Sequence, residues 1–281
     1  NRSLACHLGT VELSLCTGIT FFVAHGSTYA VHTHTKTQLY ADRTFKNLTP
    51  ERRETVTWIY MPIEGQITEI SFSVLPNRLG RVSQPQHLLF RFESVGDVLI
   101  GPYTLKSRQF MSLKWPQKLI YRKKDTLPIC FVSAFSEKYT ICDTAAAPKR
   151  FDPSLPPIED PYISSAPLSN VSQIRVYCIP RTNFCRGITI QYRGGGKLAL
   201  GQCRLGVDPF TEYEWPVRLC FANTIFDQSG VGKLEGVKVE CLKDHDHVDG
   251  LADWTCCEMT GVLYCWFNQD EMRMRYTKTS R

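Results

Sequence analysis

The densest group of potential metal ligands lies in one short acidic segment, residues 242–250, which reads LKDHDHVDG. It contains two imidazoles and three carboxylates, and Cys241 directly precedes it. His245 and His247 stand two residues apart, so they could share one ion with Asp249, because imidazole nitrogen and carboxylate oxygen are both common zinc ligands. The alternative is a solvated acidic loop, because a single loop rarely completes a tetrahedral site without a distant partner.

A second group of residues suits the recognition of a sugar. It combines glycines with a carboxylate and two aromatic rings: Gly194, Gly195, Asp208, Tyr213 and Trp215. A glycine turn can expose backbone amides, a carboxylate accepts hydrogen bonds from hydroxyls, and an aromatic ring packs on the apolar face of a pyranose. This set predicts a carbohydrate-binding site. The alternative is an ordinary hairpin turn with aromatic side chains buried at strand ends.

Motifs of known catalytic mechanism are missing from the sequence. It contains no nucleophile elbow, no P-loop, no dinucleotide fingerprint and no HExxH pair. We therefore predict a protein that is not an enzyme, with no catalytic residue and no cofactor. A hydrolase acting on carbohydrate remains an alternative, because the 27 acidic residues could supply a carboxylate pair, although no spacing indicates one.

Two further groups of polar residues have simpler interpretations. His32 and His34 lie on one face of a predicted strand beside Lys36, and a solvent-facing sheet surface explains them as well as a ligand role. Residues 106–124 carry seven basic and no acidic side chains, with three aromatic residues between them. Such a segment could follow a phosphate backbone, but no nucleic-acid recognition motif accompanies it, and solvated strand faces explain the charge as well.

Composition sets the class of protein. With 281 residues, 43% hydrophobic and 21% charged, the chain is globular and long enough for two domains. No apolar run approaches the roughly 18 residues of a membrane helix, so no membrane span is expected. Twelve cysteines and three glycosylation sequons are compatible with secretion. Cysteines inside apolar runs, such as Cys130 and Cys220, equally fit buried thiols of an intracellular protein, and the compartment stays open.

The periodicity predicts an all-β fold. Four segments, residues 18–32, 87–101, 187–201 and 261–274, each read as a strand, a tight turn and a return strand. Six of the sixteen prolines lie between residues 148 and 167, which predicts an extended linker because proline cannot donate to a sheet ladder.

The order of segments in residues 12–135 carries a resemblance. Residues 58–70 (WIYMPIEGQITEI) are followed by residues 88–103, which end in Gly101-Pro102-Tyr103. This succession resembles the jacalin-type lectin domain, a β-prism of three Greek-key sheets. The resemblance implies a prism fold and, with it, carbohydrate binding without catalysis. The second half shares the hairpins but is interpreted as a divergent copy.

The whole chain is also similar to a group of fungal proteins without an assigned activity, in segments such as residues 29–35 and 186–208. We therefore predict two β-prism-like modules, residues 1–142 and 167–281, joined by a proline-rich linker, residues 143–166. The predicted ligand is a carbohydrate. The alternative partner is another protein or a second copy of the chain, on a prism scaffold without sugar binding; neither a membrane nor a nucleic acid is expected.

Overall fold

The computed structural model describes residues 7–74, 87–102, 109–123, 127–137, 158, 161–228, 232–241, 247 and 253–278. These residues form antiparallel sheets with two short helices, which confirms the predicted all-β class. The chain divides into two compact units, residues 1–154 and 155–281. Among the described residues, no helix has the length and apolar character needed to cross a bilayer.

The first unit contains three antiparallel sheets. Its strands are β1 His7–Glu12, β2 Gly18–Ala24, β3 Ser27–His34, β4 Thr57–Pro62, β5 Ile67–Val74, β6 His87–Phe92, β7 Gly96–Ile100, β8 Gln109–Lys114, β9 Lys118–Lys123 and β10 Cys130–Phe135. The sheet orders are β1-β9-β10, β3-β2-β4 and β7-β6-β5-β8. Sequence neighbours such as β2 and β3 pair as hairpins, whereas β1 pairs with β9 across the whole unit.

One aromatic ring from each sheet meets the others in the core of this unit. Phe21 of β2 lies 6.1 Å from Phe90 of β6 and 6.0 Å from Phe131 of β10, measured between ring centroids. All three side chains are buried. The alternation of inward and outward residues along each strand directs these rings to one place, so the three sheets share a single apolar core.

The connection between β3 and β4 covers the outer face of their sheet. It contains α1 Asp42–Lys46 and α2 Pro50–Thr55, and α2 begins where Thr49 accepts a hydrogen bond from the Arg52 amide and proline takes the first helical position. Phe45 of α1 packs on Phe22 and Trp58. Strand β2 is therefore buried on both faces, as its mostly apolar sequence indicates.

The second unit also contains antiparallel sheets. Its strands are β11 Tyr162–Pro167, β12 Val171–Cys178, β13 Cys185–Tyr192, β14 Lys197–Gly201, β15 Phe210–Glu214, β16 Arg218–Gln228, β17 Gly232–Glu240, β18 Thr255–Glu258, β19 Val262–Phe267 and β20 Met272–Thr277. Three sets of strands pair in the orders β11-β19-β20, β14-β13-β12-β15 and β17-β16-β18. The last two sets touch through a single bridge between Cys185 and Val237.

These three sets repeat the sheets of the first unit in a permuted chain order. In chain order, strands β11 to β17 correspond to β4 to β10, and strands β18 to β20 correspond to β1 to β3. Within each of the three sets, corresponding strands have corresponding neighbours. The strands that open the first unit therefore have their counterparts at the end of the second. This explains why the second half reads as a divergent copy when its segments are compared in sequence order.

Local features confirm the correspondence. Thr68 and Ser172 occupy equivalent register shifts, and each hydroxyl donates to a carbonyl of the neighbouring strand, of Arg91 and Gln191 respectively, at 3.2 Å. The carbonyls of Thr68 and Ser172 also accept the amides of two tryptophans, Trp115 and Trp215, each at 2.8 Å. A shared bulge with two equivalent hydrogen bonds indicates that the two units have one architecture.

The predicted hairpins and linker can be compared with these elements. All four predicted hairpins are present, as β2–β3, β6–β7, β13–β14 and β19–β20. The boundary between the units lies inside the predicted linker, but residues 162–166 of that linker belong to strand β11. Strand β11 tolerates its terminal Pro167 because it is the edge of its set and needs no amide donor on that side. In the basic segment, residues 109–114 and 118–123 form β8 and β9, and Lys118 pairs with Glu12 at 2.7 Å.

Two glycines of the β13–β14 hairpin should respond differently to a methyl group. At Gly201, with φ of +70°, a Cβ would lie 2.7 Å from the Arg186 carbonyl oxygen, whereas at Gly194 it would meet no atom within 4 Å. We expect Gly201→Ala to lower the free energy of unfolding by roughly 2–4 kcal/mol, from backbone strain and overpacking. Gly194→Ala should change it by less than about 1 kcal/mol. Urea unfolding of both variants measures the difference, and equal midpoints would contradict the assigned register.

Candidate functional site

The turn between β13 and β14 lies beside an exposed tryptophan. Trp215, which follows β15, is 58% exposed and has a left-handed backbone with φ of 50°. The guanidinium of Arg193, the residue before Gly194, lies 5.1 Å from the centroid of the indole. Nothing stands within 4 Å of a Cβ built on Gly194 or Gly195, although the Gly195 amide already donates to the Tyr192 carbonyl within the turn. Three of the five predicted sugar-binding residues therefore lie at one end of this sheet.

Asp208 does not join them, because it lies towards the other end of the β12–β15 pair. The register pairs Phe210 with Tyr177 at one end of β12 and Glu214 with Gln173 at the other, so Asp208 lies about 13 Å or more from the Trp215 end. Its side chain is 1% exposed and pairs with Arg186 at 3.0 Å. This carboxylate therefore faces the half-buried guanidinium of Arg186.

The environment of Asp208 supports this pairing. Burial raises the pKa of its carboxyl, and the positive charges of Arg186 and Arg204 oppose that rise. Burial together with the charge of Arg186 lowers the pKa of Arg204 to about 10. Removing one partner of such a pair leaves an uncompensated charge, so the carboxylate of Asp208 and the guanidinium of Arg186 depend on each other.

Tyr213 is half-buried and also lies away from the exposed indole of Trp215. It lies in β15 opposite Ile174, and burial raises the pKa of its hydroxyl to about 12, with Cys241 and Glu240 adding to the effect. The proximity of these two residues places the ring against the end of β17. Tyr213 thus packs near the end of β17.

The first unit has an equivalent tryptophan that the sequence analysis did not identify. Trp115 follows β8, has a φ of 51°, and stands one hundred positions before Trp215. It lines a cavity of about 580 Å³ together with Leu13, Ile63, Gln66 and Gln117. The signal that could have revealed both is the recurrence of Trp-Pro-x-(Lys/Arg)-Leu at residues 115–119 and 215–219.

Of the predicted metal ligands, only His247 belongs to the described residues; His245 and Asp249 lie outside them. The Nε2 atom of His247 is 3.2 Å from the Cys256 sulfur, and its Nδ1 atom is 3.2 Å from a carboxylate oxygen of Glu240. The ring stacks on Trp254 with centroids 4.2 Å apart and planes 5° from parallel. His247 therefore faces a thiol and a carboxylate from the neighbouring sheet, partners that the spacing within the loop did not indicate.

Two thiols and this imidazole form one cluster. Strand pairing places Cys220 of β16 opposite Cys256 of β18, and the ligand atoms of Cys220, Cys256 and His247 all lie within 4.8 Å of one another. Burial raises the pKa of the Cys220 thiol, and the neighbouring Cys256 raises it further. This is the group of described residues whose donor atoms best match a metal ion.

Other cysteines pack as small apolar side chains. Cys185, Cys203 and Cys265 are buried in the core of the second unit, and burial raises the pKa of each thiol well above its ordinary value. The ten cysteines that the structure describes are free thiols. The interpretation of strand cysteines as small buried hydrophobic residues holds for Cys185, Cys203 and Cys265.

The histidines of β3 are buried, so the predicted solvent-facing surface is wrong. The helical connection after β3 covers them: Thr44 of α1 bonds His32 at 2.8 Å, and the Leu39 carbonyl accepts from His34 Nδ1 at 2.7 Å. A carbonyl can only accept, so Nδ1 carries the proton and His34 Nε2 accepts from the Thr20 hydroxyl at 2.7 Å. The neutral ring is thus fully bonded, and burial lowers the pKa of His34 to about 4.

Comparison with known proteins adds no family to this description. No family model matches the sequence, and no curated protein matches it.

The buried His34 predicts a loss of stability in acid. Its pKa is lower in the folded protein than the ordinary 6.5, so the unfolded chain binds the proton more tightly between about pH 6.5 and pH 4. The unfolding free energy should therefore fall by up to about 3 kcal/mol as the pH decreases through this window. His32, whose pKa burial also lowers, contributes in the same direction.

Urea unfolding at about pH 7 and about pH 4.5 measures this effect. His34→Gln should remove much of the difference between the two conditions, whereas His25→Asn, at an exposed turn, should leave it unchanged. The same pH difference in both variants would show that His34 does not carry it.

Proposed function

We propose that the protein is a non-catalytic carbohydrate-binding protein built from two prism-like modules. The three sheets of the first unit enclose one core, and the three strand sets of the second repeat their pairing, which supports a β-prism scaffold in both halves. Such a scaffold fills its interior with apolar side chains and leaves ligand recognition to the sheet ends.

The observation that carries the proposal is the recurrence of a strained tryptophan at the same position of both units. A left-handed backbone costs a non-glycine residue about 1–2 kcal/mol, and Trp115 and Trp215 both adopt it. Strain that is retained twice on a large aromatic residue indicates that the indole is held in position for contact with something else.

The surroundings of Trp215 suit a sugar ring. Its exposed indole offers an apolar surface, the Arg193 guanidinium lies over one face of the ring and offers several N–H donors, and no atom stands within 4 Å of a Cβ built on Gly194. A pyranose presents one apolar face and a rim of hydroxyls, so it can stack on the ring and accept hydrogen bonds from the guanidinium. In the first unit, the cavity beside Trp115 combines the same ring with polar groups of Gln66 and Gln117.

A protein-interaction role is the second candidate, and the exposure of strand β15 favours it. This strand is the edge of its sheet, and Phe210, Trp215 and Val217, within or directly after it, are each more than half exposed. An edge strand with exposed apolar side chains can pair with another chain. In that case the tryptophans would contact a protein surface.

Binding to a glycan array, followed by titration of the protein with the best glycan, tests the carbohydrate proposal. Trp215→Ala or Trp115→Ala should weaken binding about tenfold or more, depending on which unit holds the sugar, because stacking supplies about 1.4 kcal/mol. Phe210→Ala is the matched control, since this residue is 51% exposed on the same strand but at its other end.

The control should bind like the unaltered protein. Silence on every glycan, together with self-association that Phe210→Ala weakens, would replace the carbohydrate proposal by the interaction role. An equal loss of binding in Phe210→Ala and Trp215→Ala would reject the surface at Trp215 as the binding site.

A further inference from the structure

The second unit carries a cluster of thiols and an imidazole that is not part of the proposed sugar site at Trp215. Cys220 lies in β16, Cys256 lies opposite it in β18, and His247 belongs to the connection between β17 and β18. Glu240 also lies opposite Cys220, from β17 on the other side. Residues directly opposite in a sheet project to the same face, so the two thiols and the carboxylate converge there with His247.

We propose that Cys220, Cys256 and His247 bind one zinc ion, and that Glu240 orients His247 for this role. A tetrahedral zinc with ordinary bond lengths separates two sulfur ligands by about 3.8 Å and a sulfur from a nitrogen by about 3.6 Å. The three ligand atoms already lie within 4.8 Å of one another, so side-chain adjustments of about an ångström bring them onto one ion.

The hydrogen bonding of His247 matches that of a metal ligand. The Glu240 carboxylate can only accept, so its partner Nδ1 carries the proton of the neutral ring. The lone pair then lies on Nε2, the atom that faces the Cys256 sulfur. Zinc-bound histidines commonly donate their second nitrogen to a carboxylate in this way, which fixes the tautomer and the ring plane. Trp254, which stacks on the ring of His247, also fixes the orientation of this ring.

The charge of the site also fits a soft divalent ion. Two thiolates balance the charge of Zn²⁺, which is needed because Cys220 is fully buried and the His247 side chain is only 12% exposed. Binding releases the two thiol protons to solvent, and a water molecule supplies the fourth ligand. Thiolate and imidazole together favour zinc over magnesium or calcium, which prefer oxygen ligands.

The first unit provides a natural comparison for this site. The positions equivalent to Cys256, Cys220 and Glu240 are Thr10, Ile120 and Ser133, by the register of β1 and β10 on β9. None of these three is a strong zinc ligand. The connection that carries His247 also has no counterpart there, because the permutation joins in the second unit two strands that are the first and last of the first unit.

Zinc titration of the full chain tests the proposal, after treatment with a chelator and a thiol reductant. Competition with a chromophoric chelator and native mass spectrometry should find one tightly bound zinc per chain. Cys220→Ser and Cys256→Ser should each weaken binding more than about 100-fold, and Glu240→Gln about 10- to 100-fold. Cys257→Ala is the matched control, because this buried thiol follows Cys256 in β18 but projects to the opposite face. The zinc affinity of this variant should be unchanged.

A second measurement uses only the unaltered protein, in case a variant fails to fold. Co²⁺ in place of zinc should give visible bands of a tetrahedral centre and a thiolate charge-transfer band whose intensity corresponds to two sulfurs. Bound zinc should also protect the partly exposed Cys256, but not the partly exposed Cys178, from alkylation. Absence of stoichiometric zinc in the reduced, folded chain would overturn the proposal, as would unchanged affinity in Cys220→Ser. A Cys220–Cys256 disulfide with no metal uptake after reduction would assign the pair to a redox bond instead.

Discussion

The convergence of three sheets on one apolar core determines where chemistry can occur in this protein. In the first unit, Phe21, Phe90 and Phe131 each come from a different sheet and fill the interior together. Burial of three such rings is worth several kcal/mol and fills this part of the interior with apolar side chains. Trp115 and Trp215 lie outside this group of rings, directly after strands β8 and β15.

The permuted order of the second unit changes its connections without changing its strand pairing. In the first unit the connection between β3 and β4 carries two helices and buries His32 and His34. In the second unit the counterparts of β3 and β4 are β20 and β11, its last and first strands, so no connection joins them directly. This unit has instead the connection between β17 and β18, which supplies His247. Equivalent sheets thus carry different functional groups, because the groups come from the connections that each chain order creates.

The sequence predicted the local features well, because they depend on neighbouring residues. Alternating apolar residues and glycine turns placed all four hairpins, including β13–β14 around residues 194–196. The pairing of Cys220 with Cys256 was not predictable, since it depends on which distant strands meet, and no spacing in the sequence records this. The ion pair of Arg186 with Asp208 was not predictable for the same reason.

Cross-strand nuclear Overhauser contacts test the central claim, the permuted repetition of one architecture, most directly. The structure pairs Leu119 with Val11 in the first unit and Leu219 with Cys257 in the second. Antiparallel pairing predicts short backbone proton contacts within both pairs, measured on the isotope-labelled full chain. Contacts of residues 255–258 with a strand other than β16 would contradict the equivalence of the two units.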